Sequence, residues 1–435
     1  MRSTTHRAKE IAAVLVRHGF GSLADLLDLR RLLPAGHEAS ASTSDPGPVH
    51  LRRALEDLGP TFMKLGQVLS TRPDLVAPRY ESELSLLQDS APRVSTREIV
   101  LAIETAFDRP MTAVFDRFDD VPLAAASIGQ VHAATLPDGS DVVVKVRRPH
   151  VVEQVMIDLE LLNRLAAVAA RRSSIAQRYD PAGLAHEFGT TLLAELDYQR
   201  EGRNADFISA GFANHEYVDV PKVFWDFTCS NVITEARVRG VKIDDLQALD
   251  AAGLDRSKIA RRFADAYLSM VFVHRFFHAD PHPGNIFVGD GGRIGFVDFG
   301  MVGSVSSRAG GSLGEILLAL VATDPARMVD GLLGLGVACE DVDRAAFEGD
   351  LARFLEQYSH LPLEQLHVRF LLADLMSVVR ARRLRLPSDI ALLLKTVMMC
   401  EGVAAQLDPK FELVPMLVPY ATRLARETRD PPGSA

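Results

Sequence analysis

The chain has 435 residues, of which 47% are hydrophobic and 24% charged, so it can bury one or two large cores, and we expect a two-lobed globular protein. Its net charge of −9 argues against binding to nucleic acid by neutralising phosphates, and we expect no nucleic-acid partner. The three cysteines, Cys229, Cys339 and Cys400, lack any paired spacing, which indicates a reduced, cytoplasmic compartment.

The N-terminal segment, residues 1–34, has apolar residues at helical spacing and precedes a flexible linker, residues 35–48, rich in Ser, Gly and Pro. The apolar run at 11–16 is too short for the core of a signal peptide. We expect 8–33 to form an amphipathic helix that makes peripheral contact with the inner face of the membrane. The alternative is that this helix packs on its own protein.

Residues 49–117 form a predicted helical extension made of several short helices. Four prolines divide it: Pro60, Pro73, Pro78 and Pro92. Lys64 and Gln67 lie three residues apart, so they share one face of a predicted helix. Taken alone, such a pair is typical of a solvated helix surface.

Strand patterns begin in the next segment, residues 118–235, which we expect to form a small β-rich lobe. The predicted elements are a hairpin of 133–136 and 142–146 around a turn at 137–140, helical patterns at about 151–171 and 181–208, and a strand at 231–234. The last segment, residues 236–435, is helical apart from a second hairpin. There 285–288 and 293–297 flank a glycine-rich turn.

No charge-free apolar stretch reaches the ~20 residues that a membrane-spanning helix needs. The best candidate, residues 316–321, lies between Glu315 and Asp324. We therefore expect no transmembrane segment.

The strongest chemical signal is His-Ala-Asp-Pro-His-Pro-Gly-Asn at 278–285, followed after the hairpin by Val-Asp-Phe-Gly at 297–300. Phosphoryl transfer from ATP needs a carboxylate near the attacking oxygen and metal ions that neutralise the phosphates. Asp280 precedes Asn285 by five residues, as in a kinase catalytic loop, and Asp298 opens an Asp-Phe-Gly metal motif. We predict Asp280 as a catalytic residue, Asn285 and Asp298 as Mg²⁺ ligands, and ATP as the cofactor.

Each fragment alone has a simpler interpretation. Asp280 and Asn285 are both typical turn residues. Three histidines recur every four residues: His274, His278 and His282. That spacing suggests zinc, but Pro281 and Pro283 prevent one helical face from presenting all three. The order of the motifs and the hairpin between them favour the nucleotide site.

Lys145 is a single cation among alternating valines in the second strand of the first hairpin, as the phosphate-binding lysine of a kinase is. The alternative is a strand-edge lysine that reaches water. Upstream, the alanine-rich loop at 124–130 occupies the place of a glycine-rich loop. Only Gly129 lacks a side chain there, so only its backbone can come as close to phosphates as that of a glycine-rich loop. The predicted nucleotide-binding residues are Ala124, Ala125, Ala126, Ser127, Ile128, Gly129, Gln130, Val131, Lys145 and Glu235.

Together these motifs resemble the UbiB family of atypical protein-kinase-like proteins, which is associated with isoprenoid-quinone biosynthesis, over almost the whole chain. Besides the catalytic loop, the resemblance rests on Lys-Leu-Gly-Gln at 64–67 with Ser-Thr-Arg-Pro-Asp at 70–74, on Ala-Ala-Ala-Ser-Ile-Gly-Gln-Val-His at 124–132, and on Glu-Leu-Asp-Tyr-Gln-Arg-Glu at 195–201. It implies an α+β, bilobal protein-kinase-like fold, with a small β-rich N-lobe, a helical C-lobe and an N-terminal helical extension.

The resemblance also implies roles that spacing alone leaves open. It gives regulatory roles to Lys64, Gln67, Glu195 and Asp197. The helix that bears Lys64 would lie over the nucleotide cleft, with Lys64 against the two carboxylates. Glu201 would be the catalytic ion-pair partner of Lys145. From the residues alone, the acidic cluster at 195–201 could equally be an exposed helix face.

The sequence departs from ordinary protein kinases at several positions. Ala279 replaces the arginine of the catalytic loop, His282 stands where a kinase has lysine, and no Ala-Pro-Glu follows Asp298. We therefore expect an occluded site, and an ATP- and Mg²⁺-dependent atypical kinase or ATPase that binds ATP or ADP. The resemblance implies a quinone-precursor or lipid ligand. The alternatives are a small-molecule phosphotransferase and a nucleotide-binding scaffold without turnover.

Overall fold

The computed structural model describes residues 4–33, 47–70, 72, 75–87, 93–172, 180–337, 343–362, 365–382, 384 and 386–429. The chain divides into two compact units. The first comprises Met1–Gly202 and Val223–Arg237, and the second comprises Arg203–Lys222 and Val238–Ala435. Residues 35–46 of the predicted linker lie outside the described residues, as do Cys339, Pro73 and Pro92.

The helices and strands are numbered here in chain order. The helices are α1 (Thr4–Arg17), α2 (Gly21–Leu26), α3 (Pro48–Leu58), α4 (Pro60–Ser70), α5 (Pro78–Leu84), α6 (Thr96–Phe107), α7 (Met111–Val114), α8 (Val151–Arg172), α9 (Pro181–Glu195), α10 (Tyr198–Gly211), α11 (Leu246–Ala251), α12 (Arg256–Ser269), α13 (Ser307–Ala322), α14 (Pro325–Gly334), α15 (Arg344–Tyr358), α16 (Val368–Ala381), α17 (Ser388–Leu407) and α18 (Val414–Arg429). The strands are β1 (Arg117–Phe118), β2 (Ala124–Ala125), β3 (Gly129–Thr135), β4 (Asp141–Arg147), β5 (Val218–Asp219), β6 (Val232–Ala236), β7 (Val241–Lys242), β8 (Phe276–His278), β9 (Ile286–Gly289), β10 (Arg293–Phe296) and β11 (Val302–Ser304). This order of a sheet region followed by helices confirms the predicted α+β fold with helices at the N-terminus.

The first unit contains an antiparallel sheet in the order β1-β3-β4-β6, with β2 also paired to β3. β3 and β4 form the predicted hairpin, in which Lys145 lies opposite Val131. On its other side Lys145 lies opposite Ile233 of β6. The lysine is therefore on a central strand, and the alternative of a strand-edge lysine is excluded.

Strand β4 alternates between two environments. Val142, Val144 and Val146 are fully buried and pack with Ile99 and Ile103 of α6. Since successive side chains of a strand point to opposite faces, the buried valines fix Lys145 on the other face of the sheet.

The helical pattern at 181–208 is divided into α9 and α10. Between them the Asp197 carboxylate accepts a hydrogen bond from the N–H of Gln199 (3.1 Å), and the N–H of Tyr198 donates to the carbonyl of Ser230 (3.1 Å). N–H groups that donate to acceptors outside the helix no longer form the hydrogen bonds of a continuous helix, so the helix ends here. The break places Glu195 and Glu201 on different helices.

The predicted N-terminal helix forms α1 and α2, which are separated at Gly19 with a φ of 88°. The apolar face of α1 is buried: Ile11 and Leu15 pack in one core with Leu58 and Phe62. Of the two expectations for this helix, the structure shows the one in which it packs on its own protein.

Arg7 and Asp158 form a buried ion pair between α1 and α8. Their exposed fractions are 3% and 0%, and the guanidinium contacts both carboxylate oxygens, at 2.6 and 3.1 Å. Nη2 of Arg7 also donates to the carbonyl of Leu58 at the end of α3 (2.6 Å), and Nη1 lies 3.0 Å from Glu10. One side chain therefore fastens three helices.

The second unit contains a four-stranded sheet in the order β5-β10-β9-β7 and a two-stranded sheet of β8 and β11. β9 and β10 form the predicted second hairpin, and β5 runs parallel to β10. Around these strands α12 packs against α17, while α13 packs against α14 and α18. A π-helical turn, Met270–His274, joins α12 to β8.

Among the described residues, one helix, α17, is long and apolar enough to cross a membrane, and half of that stretch is buried inside the protein. The sequence pattern at 316–321 did not point to it. The buried carboxylate of Glu401 accepts hydrogen bonds from the N–H groups of Val368 and Arg369 at the start of α16 (2.8 Å each). A charge held in this way is typical of a core helix.

We predict that replacing Arg7 with Met lowers the free energy of unfolding of the first unit by ~3–5 kcal/mol, because Asp158 remains buried without its main partner. Urea denaturation followed by the fluorescence of Trp225, the single tryptophan, measures this unit. The double variant Arg7→Met/Asp158→Leu should recover most of the loss, since neither charge remains. Equal stability of Arg7→Met and wild type would contradict the role of the pair.

Candidate functional site

The first unit carries a group of side chains that we call the lysine cluster: Lys145, Tyr198 and Glu201. Lys145 Nζ contacts both carboxylate oxygens of Glu201, at 2.8 and 3.0 Å, and the two side chains are 13% and 4% exposed. The ring of Tyr198 lies one helical turn before Glu201, with its centroid 5.3 Å from Nζ. Both charges are therefore paired and held in place before any ligand binds.

The alanine-rich loop connects β2 to β3 through a tight turn in which the N–H of Ala126 donates to the carbonyl of Gly129 (2.8 Å). A Cβ at Gly129 would collide with the hydroxyl of Tyr198 and approach the carbonyl of Val146. The glycine is thus required by packing within the protein, a reason that the sequence alone did not reveal. Ile128 is buried among residues of α8 and α9, which anchors the loop.

Among the predicted nucleotide-binding residues, Gln130 and Glu235 also have buried side chains. The Gln130 amide is hydrogen-bonded to the backbone of Val94 and donates to Nε2 of His132 (3.2 Å), whose Nδ1 donates to the carbonyl of Asp119 (2.9 Å). Glu235 lies in β6 opposite Val143 and is 6% exposed. Burial lowers the pKa of His132, so its neutral form is favoured.

Helix α4 positions Lys64 and Gln67. Lys64 Nζ lies 3.2 Å from Glu195, with exposed fractions of 13% and 8%, and the Gln67 amide donates to the carbonyl of Leu87 (3.2 Å). A Cβ at Gly66 would collide with Leu87, so the glycine lets α4 pack closely. The helix also packs against the cluster of buried residues that contains Ile128. The Lys-Leu-Gly-Gln motif therefore belongs to the packed interior of the first unit.

The second unit carries the catalytic loop between β8 and β9. His278 is fully buried and lies at its base. Its Nδ1 accepts a hydrogen bond from the N–H of Asp280 (3.2 Å), and its Nε2 lies 3.0 Å from the carbonyl of Val297. These partners assign the proton to Nε2. The imidazole thus joins Asp280 to Val297, the residue before Asp298.

Three predicted residues of the second unit, Asp280, Asn285 and Asp298, form what we call the catalytic-loop cluster. The Asn285 amide nitrogen donates to Oδ2 and to the backbone carbonyl of Asp280, at 3.0 and 3.3 Å. Its amide oxygen is thereby left as the atom that can ligate a cation. The N–H of Val297 donates to the carbonyl of Asn285 (3.0 Å), which ties the loop to the segment that bears Asp298.

Asp298 has a φ of 63°, in the left-handed region that few non-glycine residues adopt. The carbonyl of the next residue, Phe299, accepts a hydrogen bond from Asn204 (2.9 Å), and Phe299 itself is fully buried. Such strain is held only where neighbours impose it, and it is common at functional sites.

The segment after Asp298 is short. β11 pairs with β8, so that Gly303 lies opposite Phe277, and a Cβ at Gly303 would collide with the Phe277 ring. β11 ends at Ser304 and α13 begins at Ser307. No room remains between them for a peptide-docking segment.

Helix α17 supports the catalytic loop from behind. The Thr396 hydroxyl, 1% exposed, lies 3.3 Å from the carbonyl of Ala279 and 2.8 Å from that of Leu392. The N–H of Ala279 donates to the carbonyl of Met301 (3.0 Å). Both backbone groups of the residue before Asp280 are therefore engaged.

Sequence reasoning missed several of these contributors. Thr396 lies 117 residues from Ala279, and a single Thr in an apolar helix gives no local signal. Tyr198 could have been found, because it precedes Glu201 by three residues and so shares its helix face.

A β-sheet unit with a lysine–glutamate pair, followed by a loop with Asp280, Asn285 and Asp298, defines the class of kinase-like proteins. Residues 86–332 match the ABC1 atypical kinase-like domain, and residues 351–412 match the UbiB helical domain. The chain belongs to the UbiB family of atypical kinases.

Individual relatives agree with this membership. The chain is 36% identical to a probable protein kinase UbiB of Xanthomonas campestris, over 98% of this chain and 80% of that protein, and 36% identical to one of Xylella fastidiosa over 98% and 79%. It is also 36% identical to an uncharacterized protein of Synechocystis, covering 86% of this chain but only 64% of that protein. A Mycobacterium tuberculosis protein, Rv3197, solved in complex with erythromycin, is 25% identical with a TM-score of 0.57, covering 81% of this chain and 90% of that one.

We predict that Thr396→Val weakens the support of the catalytic loop, because the carbonyl of Ala279 (3.3 Å) loses the hydroxyl proton that it shares with the carbonyl of Leu392 (2.8 Å). Loss of such a shared hydrogen bond costs about 1 kcal/mol. Hydrogen–deuterium exchange should show faster exchange in the peptide that covers 276–285. Thr190→Val is the matched control, since the Thr190 hydroxyl donates only along its own helix, to the carbonyl of His186 (3.1 Å). Unchanged exchange in the Thr396 variant would refute this role.

Proposed function

We propose that this protein binds ATP or ADP with Mg²⁺ and acts as an atypical kinase or ATPase that supports isoprenoid-quinone or lipid metabolism. In this proposal the lysine cluster binds nucleotide phosphates and the catalytic-loop cluster holds Mg²⁺. In this proposal residues 118–235 and 236–435 form the two kinase lobes, and residues 49–117 form the extension that carries Lys64.

The observation that carries the proposal is the Lys145–Glu201 ion pair. A largely enclosed lysine on a central strand needs a partner, and Glu201 pairs with it through both carboxylate oxygens. A lysine–glutamate pair of this kind supports phosphate binding in kinases. A scaffold without turnover would not require Asp280 to be held by His278 and Asn285 as well.

The residues present suit Mg²⁺. This cation prefers oxygen ligands and is usually held by one or two carboxylates together with substrate phosphates. Asp298 supplies a carboxylate, and Asn285 supplies an amide oxygen whose nitrogen is already used on Asp280. When bound, the cation would neutralise phosphate charge. Asp280 would accept the proton of the attacking hydroxyl or water.

We further propose that Lys64, Gln67, Glu195 and Asp197 restrain the site and keep ordinary peptides out. Support comes from the buried Lys64–Glu195 pair, from the packing of α4 on the cluster that contains Ile128, and from the short segment between Asp298 and α13. The molecule that accepts phosphate at this site would be a quinone precursor or a lipid.

Peripheral contact with the inner face of a membrane remains part of the proposal. Since the apolar face of α1 is buried, contact through that face would require α1 to leave its core. Flanking basic side chains such as the exposed Arg17 can meet anionic lipid without such a change.

A second candidate function is that of a small-molecule phosphotransferase. It is favoured by one observation, the erythromycin complex of the Mycobacterium tuberculosis relative. Transfer of phosphate from radiolabelled ATP to erythromycin, compared with transfer to quinone-precursor analogues in liposomes, distinguishes the two. Labelled erythromycin without labelled lipid or quinone analogue would favour the second candidate.

We expect nucleotides to raise the unfolding temperature only when Mg²⁺ is present, because Asp298 and Asn285 hold the cation. Asp298→Asn should abolish most of this stabilisation, and Asn tolerates the left-handed backbone at this position. Asp290→Asn, on the exposed turn of the β9–β10 hairpin, is the control. An equal rise in unfolding temperature on addition of nucleotide with and without Mg²⁺ would contradict the proposal.

Lys64→Ala should change ATP or ADP preference or phosphate release by at least severalfold, whereas overall stability falls by ~1–3 kcal/mol because Glu195 loses its partner. Lys9→Ala, on the exposed side of α1, should leave nucleotide kinetics unchanged. Peptide arrays provide the second readout. Robust phosphorylation of generic peptides by wild-type protein would refute the occluded site, and unaltered kinetics in Lys64→Ala would remove its proposed mechanism.

A further inference from the structure

Arg148 directly follows β4 and is bound to the alanine-rich loop twice. Its backbone N–H donates to the carbonyl of Ile128, and its Nε donates to the carbonyl of Ala126, each at 2.9 Å. With the turn from Ala126 to Gly129, these bonds direct two carbonyls of the loop toward one residue, one to its backbone and one to its side chain. The position of the loop therefore depends on Arg148.

One nitrogen of the Arg148 guanidinium is not satisfied by the protein. Its Nη2 is buried and has no hydrogen-bond partner within the described part of the chain. Nor does any described carboxylate form an ion pair with Arg148, whereas Lys145 is compensated by Glu201. Burial lowers the pKa of Arg148, an effect that Tyr198 partly offsets, but a guanidinium stays charged.

A half-buried cation whose Nη2 is enclosed without a hydrogen-bond partner is costly and needs an explanation. Arg148 lies beside the lysine cluster, because Tyr198 interacts electrostatically with it, packs its hydroxyl against Gly129 and places its ring near Lys145. A planar guanidinium with unused N–H groups matches the oxygens of a phosphate. Since Lys145 is already paired with Glu201, Arg148 supplies a positive charge that no carboxylate of the described chain compensates.

We propose that Arg148 is a phosphate-binding residue whose Nη2 takes an oxygen of a nucleotide phosphate, and that this contact is coupled to movement of the alanine-rich loop. The coupling follows because Nη2 is covered by protein atoms, so the loop at 126–128 must shift for phosphate to reach it. The identity of the phosphate as that of a nucleotide rests on the proposed function, whereas the anion site itself does not.

The test is isothermal titration of the full chain with ADP, adenosine and inorganic pyrophosphate, each with Mg²⁺. Arg148→Gln should weaken ADP and pyrophosphate binding about 10- to 100-fold, the effect of losing a charge-assisted hydrogen bond, and change adenosine binding less than about twofold. Arg148→Lys should cause a loss of ADP and pyrophosphate affinity that is smaller than that of Arg148→Gln, because lysine keeps the charge but lacks the paired N–H groups of a guanidinium. Arg164→Gln, on the exposed face of α8, controls for net charge.

Each other outcome overturns a named part of this inference. Equal losses of ADP and adenosine affinity would show that Arg148 only holds the loop, and unchanged ADP affinity would exclude phosphate contact. If Arg148→Gln does not fold, the same comparison is made with Arg148→Lys. Pyrophosphate binding that depends on Arg148 in a protein that does not bind ADP would refute the proposed function and leave the anion site standing. Binding of neither ligand would refute both.

Discussion

The burial of alternate valines in β4 is the constraint on which the lysine cluster depends. Val142, Val144 and Val146 each gain ~1.5 kcal/mol or more from burial, so a slip by one residue would expose all three at once. That penalty keeps Lys145 on the opposite face, where the break between α9 and α10 has turned Glu201 toward it. Hydrophobic packing on one face of a sheet thus sets the geometry of a charged pair on the other.

In the second unit, backbone hydrogen bonds have the corresponding role. His278, Thr396 and Asn285 each bind a backbone group next to, or within, the segments that carry Asp280 and Asp298. The two carboxylates are thereby positioned through the main chain of their own loops. The positions of Asp280 and Asp298 therefore depend on these hydrogen bonds, which come from three different parts of the unit.

The sequence predicted whatever depends on local pattern. Both hairpins were predicted because strand periodicity and turn residues are local. The spacing of Asp280 and Asn285 predicted that they belong to one loop, and the structure adds a hydrogen bond between their side chains. The break after Glu195 was not predicted, because it depends on an acceptor at Ser230. The pair of Arg7 and Asp158, 151 residues apart, and the unsatisfied Arg148 also need three-dimensional information, since ordinary surface arginines have the same local sequence signals.

The short connection between β11 and α13 limits how the activity of such a protein can be turned on. Signalling kinases are commonly turned on by phosphorylation of a long loop after Asp-Phe-Gly, whose new charge reorganises that loop. Here two residues separate Ser304 from Ser307, and the backbone of Gly303 packs against the ring of Phe277. A phosphate added there would have no loop to reorganise. The switch that such signalling kinases use is therefore not available to the segment between Ser304 and Ser307.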